Sequence, residues 1–244
     1  MRQPLIGIPG YKIGESSFGV PIPYLEYLED FGHVRILTLT DRIDPTIDLI
    51  VIPGGPDVDP GRYNMFPGYW TSKPDIYKEF FDTKLLPSYI NNNIPVFGIC
   101  RGIQTLAVLF GGTLQQHMYH ETNDAEDRSD TVHEVELLES TFKTEYDDYS
   151  KEKIKVNSMH HQCVSRYKLP ECLEVLGEYR GKQKNSKYIE VLRHRTLNIY
   201  GVQYHPEELY NDNLSYYIIN QLIMKSPNWT EEEVKQLKTN FEND

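Results

Sequence analysis

Short apolar runs alternate with amphipathic stretches through the first hundred residues. Short, mainly apolar runs predict buried strands at 5–8, 34–39, 48–52 and 94–99. Apolar residues at helical spacing predict helices at 24–28, ending near Gly32, and over about 73–93, where Pro87 is expected to end or kink the helix. Apolar strands separated by helices are typical of a parallel sheet that is buried on both faces.

The second half of the chain has its strand-like segments closer together. These lie at 132–138, 173–179, 188–192 and 199–204. A last apolar helix is predicted at 214–224, and beyond it Thr230 and Glu233 have the spacing of a capping box that opens a short polar helix. The pattern therefore predicts an α/β fold with a mainly parallel sheet flanked by helices and extra antiparallel strands in the second half. We expect a single domain over 1–226 and a polar helical tail over 227–244.

Charge and composition exclude several classes of protein. The chain has 244 residues and a formal net charge of −11, whereas a nucleic-acid surface needs clustered lysine and arginine to hold phosphates. No apolar run reaches the roughly 18 residues of a membrane-spanning helix, and the first residues lack the basic start and long apolar stretch of a signal peptide. The three cysteines are too few and odd in number for a disulfide scaffold. We expect a cytoplasmic protein that binds neither nucleic acid nor membranes.

Cys100 lies where a predicted strand meets a predicted helix, with a glycine two residues away on each side. This G-x-C-x-G spacing is the thiol form of the elbow that holds a nucleophile in a sharp, strained turn above a sheet. The N-terminus of the following helix favours a thiolate, and the N–H of Arg101 is placed to donate to an oxyanion. A cysteine is most often simply packed in the core, which is our expectation for Cys163 and Cys172. The setting of Cys100 makes it the candidate nucleophile.

A cysteine nucleophile needs a base, and His205 is the best placed of the eight histidines. It follows the predicted strand at 199–204, and enzymes with parallel sheets carry their chemistry at the carboxyl ends of strands, where Cys100 also lies. Glu207 comes two residues later, and an extended Pro206 between them would aim both side chains to one side. A carboxylate on the far ring nitrogen would orient the imidazole and stabilise its charged form.

Three segments resemble those of one known superfamily. They read P-G-G-P-D-V-D-P-G-R-Y at 53–63, G-I-C-R-G-I-Q at 98–104 followed by F-G-G-T-L-Q-Q at 110–116, and V-N-S-M-H-H-Q at 156–162. The chain resembles the class I glutamine amidotransferases over most of its length, from about residue 6 to 217. Within that superfamily it is most similar to the γ-glutamyl hydrolase branch, the peptidase C26 group, which includes the γ-glutamyl-γ-aminobutyrate hydrolases. One departure is Tyr204, where the group usually has tryptophan.

The resemblance implies both a fold and a catalytic site. The fold is flavodoxin-like, with the nucleophile on the elbow. The implied triad is Cys100, His205 and Glu207, and the implied oxyanion hole is formed by the N–H groups of Gly55 and Arg101.

Further residues are expected to contact the substrate. Gly54 lets the backbone approach a bound molecule closely, and Gln104 lies one helical turn after the cysteine, where related enzymes use a glutamine near the glutamyl group. The resemblance places four more over the glutamate head group: Ser158, His160, His161 and Gln162. Adjacent histidines raise the question of a metal, but their spacing does not match H-E-x-x-H and no carboxylate–histidine set completes a ligand shell. We expect neither a metal nor a cofactor.

The sequence leaves three functions open. The first is a free-standing cysteine hydrolase that cleaves a small-molecule γ-glutamyl amide through a γ-glutamyl thioester and releases glutamate and an amine. The second is the glutaminase subunit of an amidotransferase that delivers ammonia to a separate synthetase partner. The third is a sensor or scaffold with a relic site, against which the intact Cys, His and Glu set argues. The segments at 53–63 and 156–162 favour the hydrolase, while the leaving amine and the oligomeric state, including a homodimer, stay open.

Overall fold

The computed structural model describes residues 2–118, 122, 127–138, 153–181, 186–210 and 212–241. The strands are β1 (Leu5–Pro9), β2 (Tyr11–Ile13), β3 (Ser17–Gly19), β4 (His33–Leu37), β5 (Leu49–Ile52), β6 (Val96–Ile99), β7 (Leu114–Gln115), β8 (His133–Leu137), β9 (Lys153–Val156), β10 (Cys163–Val164), β11 (Leu173–Arg180), β12 (Lys187–His194) and β13 (Ile199–Val202). The α-helices are α1 (Ile22–Glu29), α2 (Ile76–Phe80), α3 (Leu86–Asn91), α4 (Arg101–Leu109), α5 (Asn213–Met224) and α6 (Glu231–Phe241).

Nine strands of the described chain form one sheet in the order β4-β1-β5-β6-β13-β12-β11-β8-β9. Neighbours from β4 to β13 run parallel, and those from β13 to β9 run antiparallel. All residues of β5 and β6 are buried, as expected for central strands covered by helices on both faces. The predicted fold class, with a mainly parallel sheet and antiparallel strands added in the second half, is confirmed.

Helices cover both faces of the parallel half of the sheet. Side chains of α1 and α5 pack together in one cluster, as Leu28 and Leu222 illustrate, and side chains of α3 and α4 pack in another, as Tyr89 and Leu106 illustrate. Helix α4 lies very close to the sheet, because a Cβ atom at Gly102 would overlap the carbonyl oxygen of Ile52. The second glycine of the G-x-C-x-G motif thus lets the helix start directly on the sheet.

The helix predicted over about 73–93 is divided in the structure. Helix α2 passes into a π-helical turn at Phe81–Leu85, and α3 then begins with Pro87 in its first turn. Pro87 has no N–H to donate, so it is tolerated where a helical segment begins. The short pairs β2–β3 and β7–β10 were not predicted, since segments of two or three residues are too short to show a period.

The predicted polar helix near the C-terminus is present as α6. Thr230 Oγ1 accepts a hydrogen bond from the N–H of Glu233, and the Glu233 carboxylate accepts one from the N–H of Thr230, which completes the capping box. Leu237 is buried in the cluster that includes α1 and α5, and the Arg2 guanidinium lies 3.7 Å over the ring of Trp229. The described part of this segment therefore packs on the main sheet domain, while 242–244 lie outside the described residues.

Among the helices described, none combines the length and apolar character needed to cross a bilayer.

Candidate functional site

Cys100 occupies the turn between β6 and α4 in a strained conformation. Its φ is 53° and its ψ is −104°, outside the regions that side-chain-bearing residues prefer. Its N–H donates to the carbonyl of Val202 at 2.8 Å, which ties the turn to the neighbouring strand β13. Strain held at a cysteine on a helix N-terminus is the geometry expected of a nucleophile elbow. By contrast, burial raises the pKa of the Cys163 thiol, as expected for a packing cysteine.

His205 and Glu207 lie together beside Cys100. The distance from His205 Nδ1 to Glu207 Oε1 is 2.6 Å, and the hydroxyl of Tyr24 lies 3.4 Å from the same nitrogen. A Cβ atom built on Gly54 would lie 2.9 Å from His205 Cε1 and 3.5 Å from Cys100 Cβ, so the ring and the cysteine border the same point. With the carboxylate at Nδ1, the ring is oriented as in hydrolase triads.

The electrostatics of the pocket favour a charged imidazole. Burial by itself would lower the pKa of His205, but the carboxylate of Glu207 and the thiolate of Cys100 together raise it well above its usual value. An imidazolium beside a thiolate is the resting state expected for a cysteine activated by histidine.

Asn157 holds the main chain of His205 on both sides. Its Oδ1 accepts from the N–H of His205 at 2.8 Å, and its Nδ2 donates to the carbonyl of His205 at 2.9 Å and to that of Arg128 at 3.0 Å. The sequence showed Asn157 only as part of the V-N-S-M-H-H-Q segment and gave it no role. Its partner lies 48 residues away, so no local spacing pointed to the contact.

A buried lysine packs against the glycine loop after β5 and donates a hydrogen bond to it. Gly55 has a φ of +147°, and a Cβ atom there would overlap Cε of Lys78. Lys78 Nζ donates to the carbonyl of Pro53 at 3.1 Å and lies 3.9 Å from the centre of the Tyr11 ring. Burial and the charge of Arg101 hold the pKa of Lys78 well below its usual range. Neither Lys78, which belongs to α2, nor Tyr24 was predicted at the site; the hydroxyl of Tyr24 accepts from the N–H of Gly54 at 3.0 Å.

The side chain of Arg101 is buried and bonded to other residues of the protein. The guanidinium, 1% exposed, donates to Glu79 Oε1 at 2.7 Å, to Asp82 Oδ2 at 2.8 Å and to Thr105 Oγ1 at 3.0 Å. The guanidinium is therefore occupied by the protein, and Arg101 is the first residue of α4, directly after Cys100.

The remaining predicted contact residues form a buried polar layer behind the elbow. Gln104 Nε2 donates to the carbonyl of Gln162 at 3.0 Å and lies 3.2 Å from Gln203 Oε1, and His160 Nδ1 lies 3.0 Å from the carbonyl of Gln162. Ser158 is buried in the same segment. The donors of Gln104 are thus occupied by the protein, and a direct contact of its side chain with substrate stays a prediction.

Two carboxylates adjoin the histidine pair of this segment. Glu190 is fully buried, with Oε1 3.9 Å from His160 Nε2, and burial raises its pKa. His161 points the other way, with Nε2 3.2 Å from Asp57 Oδ2 in the loop after β5. Within the described ranges, no group of three or more His, Cys, Asp or Glu side chains is placed to hold a metal ion.

Comparison with known proteins gives a consistent set of relatives. The model of the family described as Peptidase C26 matches residues 35–207. The glutamine amidotransferase-like protein YvdE of Lactococcus lactis is 27% identical over 192 residues, which cover 75% of this chain and 78% of that protein. The glutamine-hydrolyzing GMP synthase of Thermosipho melanesiensis is 27% identical over 215 residues, which cover 83% of this chain and 34% of that protein.

The fold is shared with solved structures. The crystal structure of a glutamine amidotransferase from Thermotoga maritima has a TM-score of 0.55 to this chain at 15% sequence identity, covering 98% of this chain and 95% of that one.

Proposed function

The chain belongs to the peptidase C26 family, within the class I glutamine amidotransferase-like superfamily, and from this membership and the pocket geometry we propose that it hydrolyses a γ-glutamyl amide. Family membership supports a cysteine amidohydrolase chemistry. The single observation that carries the proposal is the strained Cys100 beside the bonded pair of His205 and Glu207.

The first half of the reaction forms a thioester. The Cys100 thiolate attacks the side-chain carbonyl carbon of the γ-glutamyl group, and the oxyanion accepts hydrogen bonds from the N–H groups of Gly55 and Arg101. The imidazolium of His205 gives its proton to the leaving nitrogen as the C–N bond breaks, and Glu207 stabilises the ring while it carries charge. The products of this half are a free amine and a γ-glutamyl thioester on Cys100.

The second half releases glutamate. Neutral His205 takes a proton from water as the water oxygen attacks the thioester carbonyl, and the same two N–H groups hold the new oxyanion. Collapse breaks the C–S bond and restores the thiolate and imidazolium pair. The strained elbow keeps the sulfur in one place through both halves, which is the positioning that an efficient nucleophile needs.

The test is a panel of γ-glutamyl amides together with free glutamine, with released glutamate measured by mass spectrometry and Cys100→Ala as the control. Release from the amides but not from glutamine, abolished in Cys100→Ala, is the expected result. No release from any amide would overturn the proposal.

A second candidate function is ammonia delivery to a synthetase. It is favoured by the similarity to a glutamine-hydrolyzing GMP synthase, which this chain matches over 34% of that protein's length. Glutamine turnover that begins only when a cell extract is added would support this function, and γ-glutamyl amide hydrolysis by the purified protein alone would argue against it.

A further inference from the structure

An exposed aromatic loop, residues 57–72, lies between the glycine loop (53–55) and α2. Asp57 closes its base, because the N–H of Asp57 donates to Ser72 Oγ at 3.0 Å and the N–H of Ser72 donates to Asp57 Oδ2 at 2.7 Å. Its tip exposes large apolar side chains: Phe66 and Tyr69 are each 92% exposed and Trp70 is 60% exposed. The ring centres of Tyr69 and Trp70 are 5.0 Å apart, and large apolar side chains grouped on an exposed surface mark binding sites.

The side chain of Gln116, directly after β7, fixes the backbone of this loop. Gln116 Nε2 donates to the carbonyl of Phe66 at 2.9 Å, while Gln116 Oε1 accepts from the N–H of Gly68 at 2.6 Å and from Thr71 Oγ1 at 2.7 Å. One amide side chain therefore satisfies three groups of the loop. The rings are presented in a defined place.

Three rings continue from this loop toward the candidate site. Trp70 stacks on His117 with ring centres 5.6 Å apart and an interplanar angle of 24°, and His117 lies 5.9 Å from His161. His161 Nε2 is in turn 3.2 Å from the carboxylate of Asp57, two residues beyond Gly55. We call Trp70, His117 and His161 the aromatic wall. It leads outward from the loop that would carry an oxyanion donor.

We propose that the aromatic wall binds the amine half of the substrate and selects γ-glutamyl amides whose amine half carries an uncharged aromatic ring. This inference rests on the proposed function, and it assigns His161 to the amine half instead of the glutamate head group where the resemblance placed it. A glutamyl group whose carbonyl lies at Cys100 must direct its leaving amine away from the buried layer of Gln104 and Gln162, and the wall borders the glycine loop on the outer side. Flat rings stack favourably on flat rings at such distances.

The carboxylate of Asp57 at the wall favours an amine half that carries no further charge over one that carries a carboxylate. Arg62 lies in the loop, and its guanidinium is held by Glu79 at 3.1 Å and by Asp82 at 3.0 Å. The exposed Lys73 follows Ser72 at the end of the loop. His161 faces Asp57, so a substrate carboxylate beside His161 would meet a like charge of the protein.

The experiment compares two amides of primary amines, γ-glutamylbenzylamide and γ-glutamylpropylamide, with γ-glutamyl-γ-aminobutyrate as a third substrate. The wild type should prefer the benzylamide in kcat/KM. Trp70→Ala should lower kcat/KM for the benzylamide by about 10-fold and leave the propylamide within about 2-fold, and Trp70→Phe should retain most of the preference. Tyr167→Ala, which removes a fully exposed ring outside the wall, is the matched control and should change neither value.

The proposal is overturned if Trp70→Ala lowers kcat/KM equally for both amides, or if the wild type prefers γ-glutamyl-γ-aminobutyrate. It is also overturned if Trp70→Ala lowers kcat/KM for neither amide, and the rings would then be a surface that contacts another protein. If no amide is hydrolysed, the proposed function fails, and the wall is tested by binding alone. Calorimetric titration of Cys100→Ala with γ-glutamylbenzylamide should then show binding that Cys100→Ala/Trp70→Ala weakens about 10-fold. Absent or equal binding in the two variants would overturn the wall as well.

Discussion

Asn157→Ala removes the clamp on the main chain of His205. The side chain of Asn157 is fully buried and makes three hydrogen bonds to backbone groups, two of them to His205. Alanine would leave the N–H of His205 without a partner and its carbonyl with only the N–H of Glu208 at 3.2 Å, at a residue that is only 6% exposed.

The expected loss follows from one unpaired N–H and from two carbonyls that each lose a hydrogen bond. A buried polar group without a partner costs about 1–3 kcal/mol, and water entering the space left by the side chain recovers part of that cost. We therefore expect the free energy of unfolding to fall by about 2–4 kcal/mol. Urea denaturation followed by circular dichroism measures this as a lower midpoint, about 1 M lower for a slope near 3 kcal/mol per M.

Asn220→Ala is the matched control. Asn220 is also buried, on α5, but its Oδ1 accepts no hydrogen bond from the described residues. Its truncation removes a similar volume with fewer hydrogen bonds, so we expect a loss below about 1 kcal/mol. If the two variants unfold at the same urea concentration, the clamp contributes nothing and the reasoning is wrong.

Three further changes have defined outcomes. Glu207→Gln removes a charge that raises the pKa of His205, so the NMR titration midpoint of that imidazole should move to lower pH. Because the pKa of His205 is higher in the folded than in the unfolded protein, its charged form stabilises the fold fully below about pH 6.5, and this stabilisation is lost as pH rises through the folded pKa. The loss should be smaller in the variant. Lys78→Met removes the donor to the glycine loop and should lower kcat about 10-fold with KM nearly unchanged, whereas Lys78→Arg should recover part of the rate; equal rates in both variants would contradict a positioning role. Asp82→Ala leaves the buried guanidinium of Arg101 without one of its carboxylates and should lower the free energy of unfolding by about 3 kcal/mol in urea, and a loss under about 1 kcal/mol would contradict this.

The sequence predicted those parts of the site that are close together along the chain. The glycines around Cys100 and the apolar run before it were enough to predict a strand, a sharp turn and a helix, and these are present. The side chains of His205 and Glu207 are 2.6 Å apart, but Pro206 lies in a 3-10 turn at Pro206–Glu208 and not in the extended segment that was predicted. Local sequence was enough to predict the turn at Cys100 and the proximity of His205 to Glu207, but not the backbone conformation between them, and the catalytic roles stay predictions.

The parts that sequence reasoning missed depend on contacts between distant segments. Tyr24 and Asn157 lie 181 and 48 residues from His205, and each looks like an ordinary helix or loop residue. Lys78 has the helical spacing of a surface lysine, yet it is 2% exposed because Gly55 leaves room for its aliphatic stem. Only tertiary packing brings these side chains to the pocket.

The helical segment from α2 through the π-turn joins the two sides of the reaction centre. Lys78 from this segment holds the strand end before Gly55, and Asp82 holds the side chain of Arg101. The two proposed oxyanion donors, Gly55 and Arg101, therefore share one support, and an insertion or deletion there would move them together relative to the sulfur. The tip of the aromatic loop, with Phe66 and Tyr69, is exposed and does not support these two residues. Divergence within a family built this way is expected to exchange loop tips freely and to preserve the register of this helical segment, so new substrates can arise without rebuilding the chemistry.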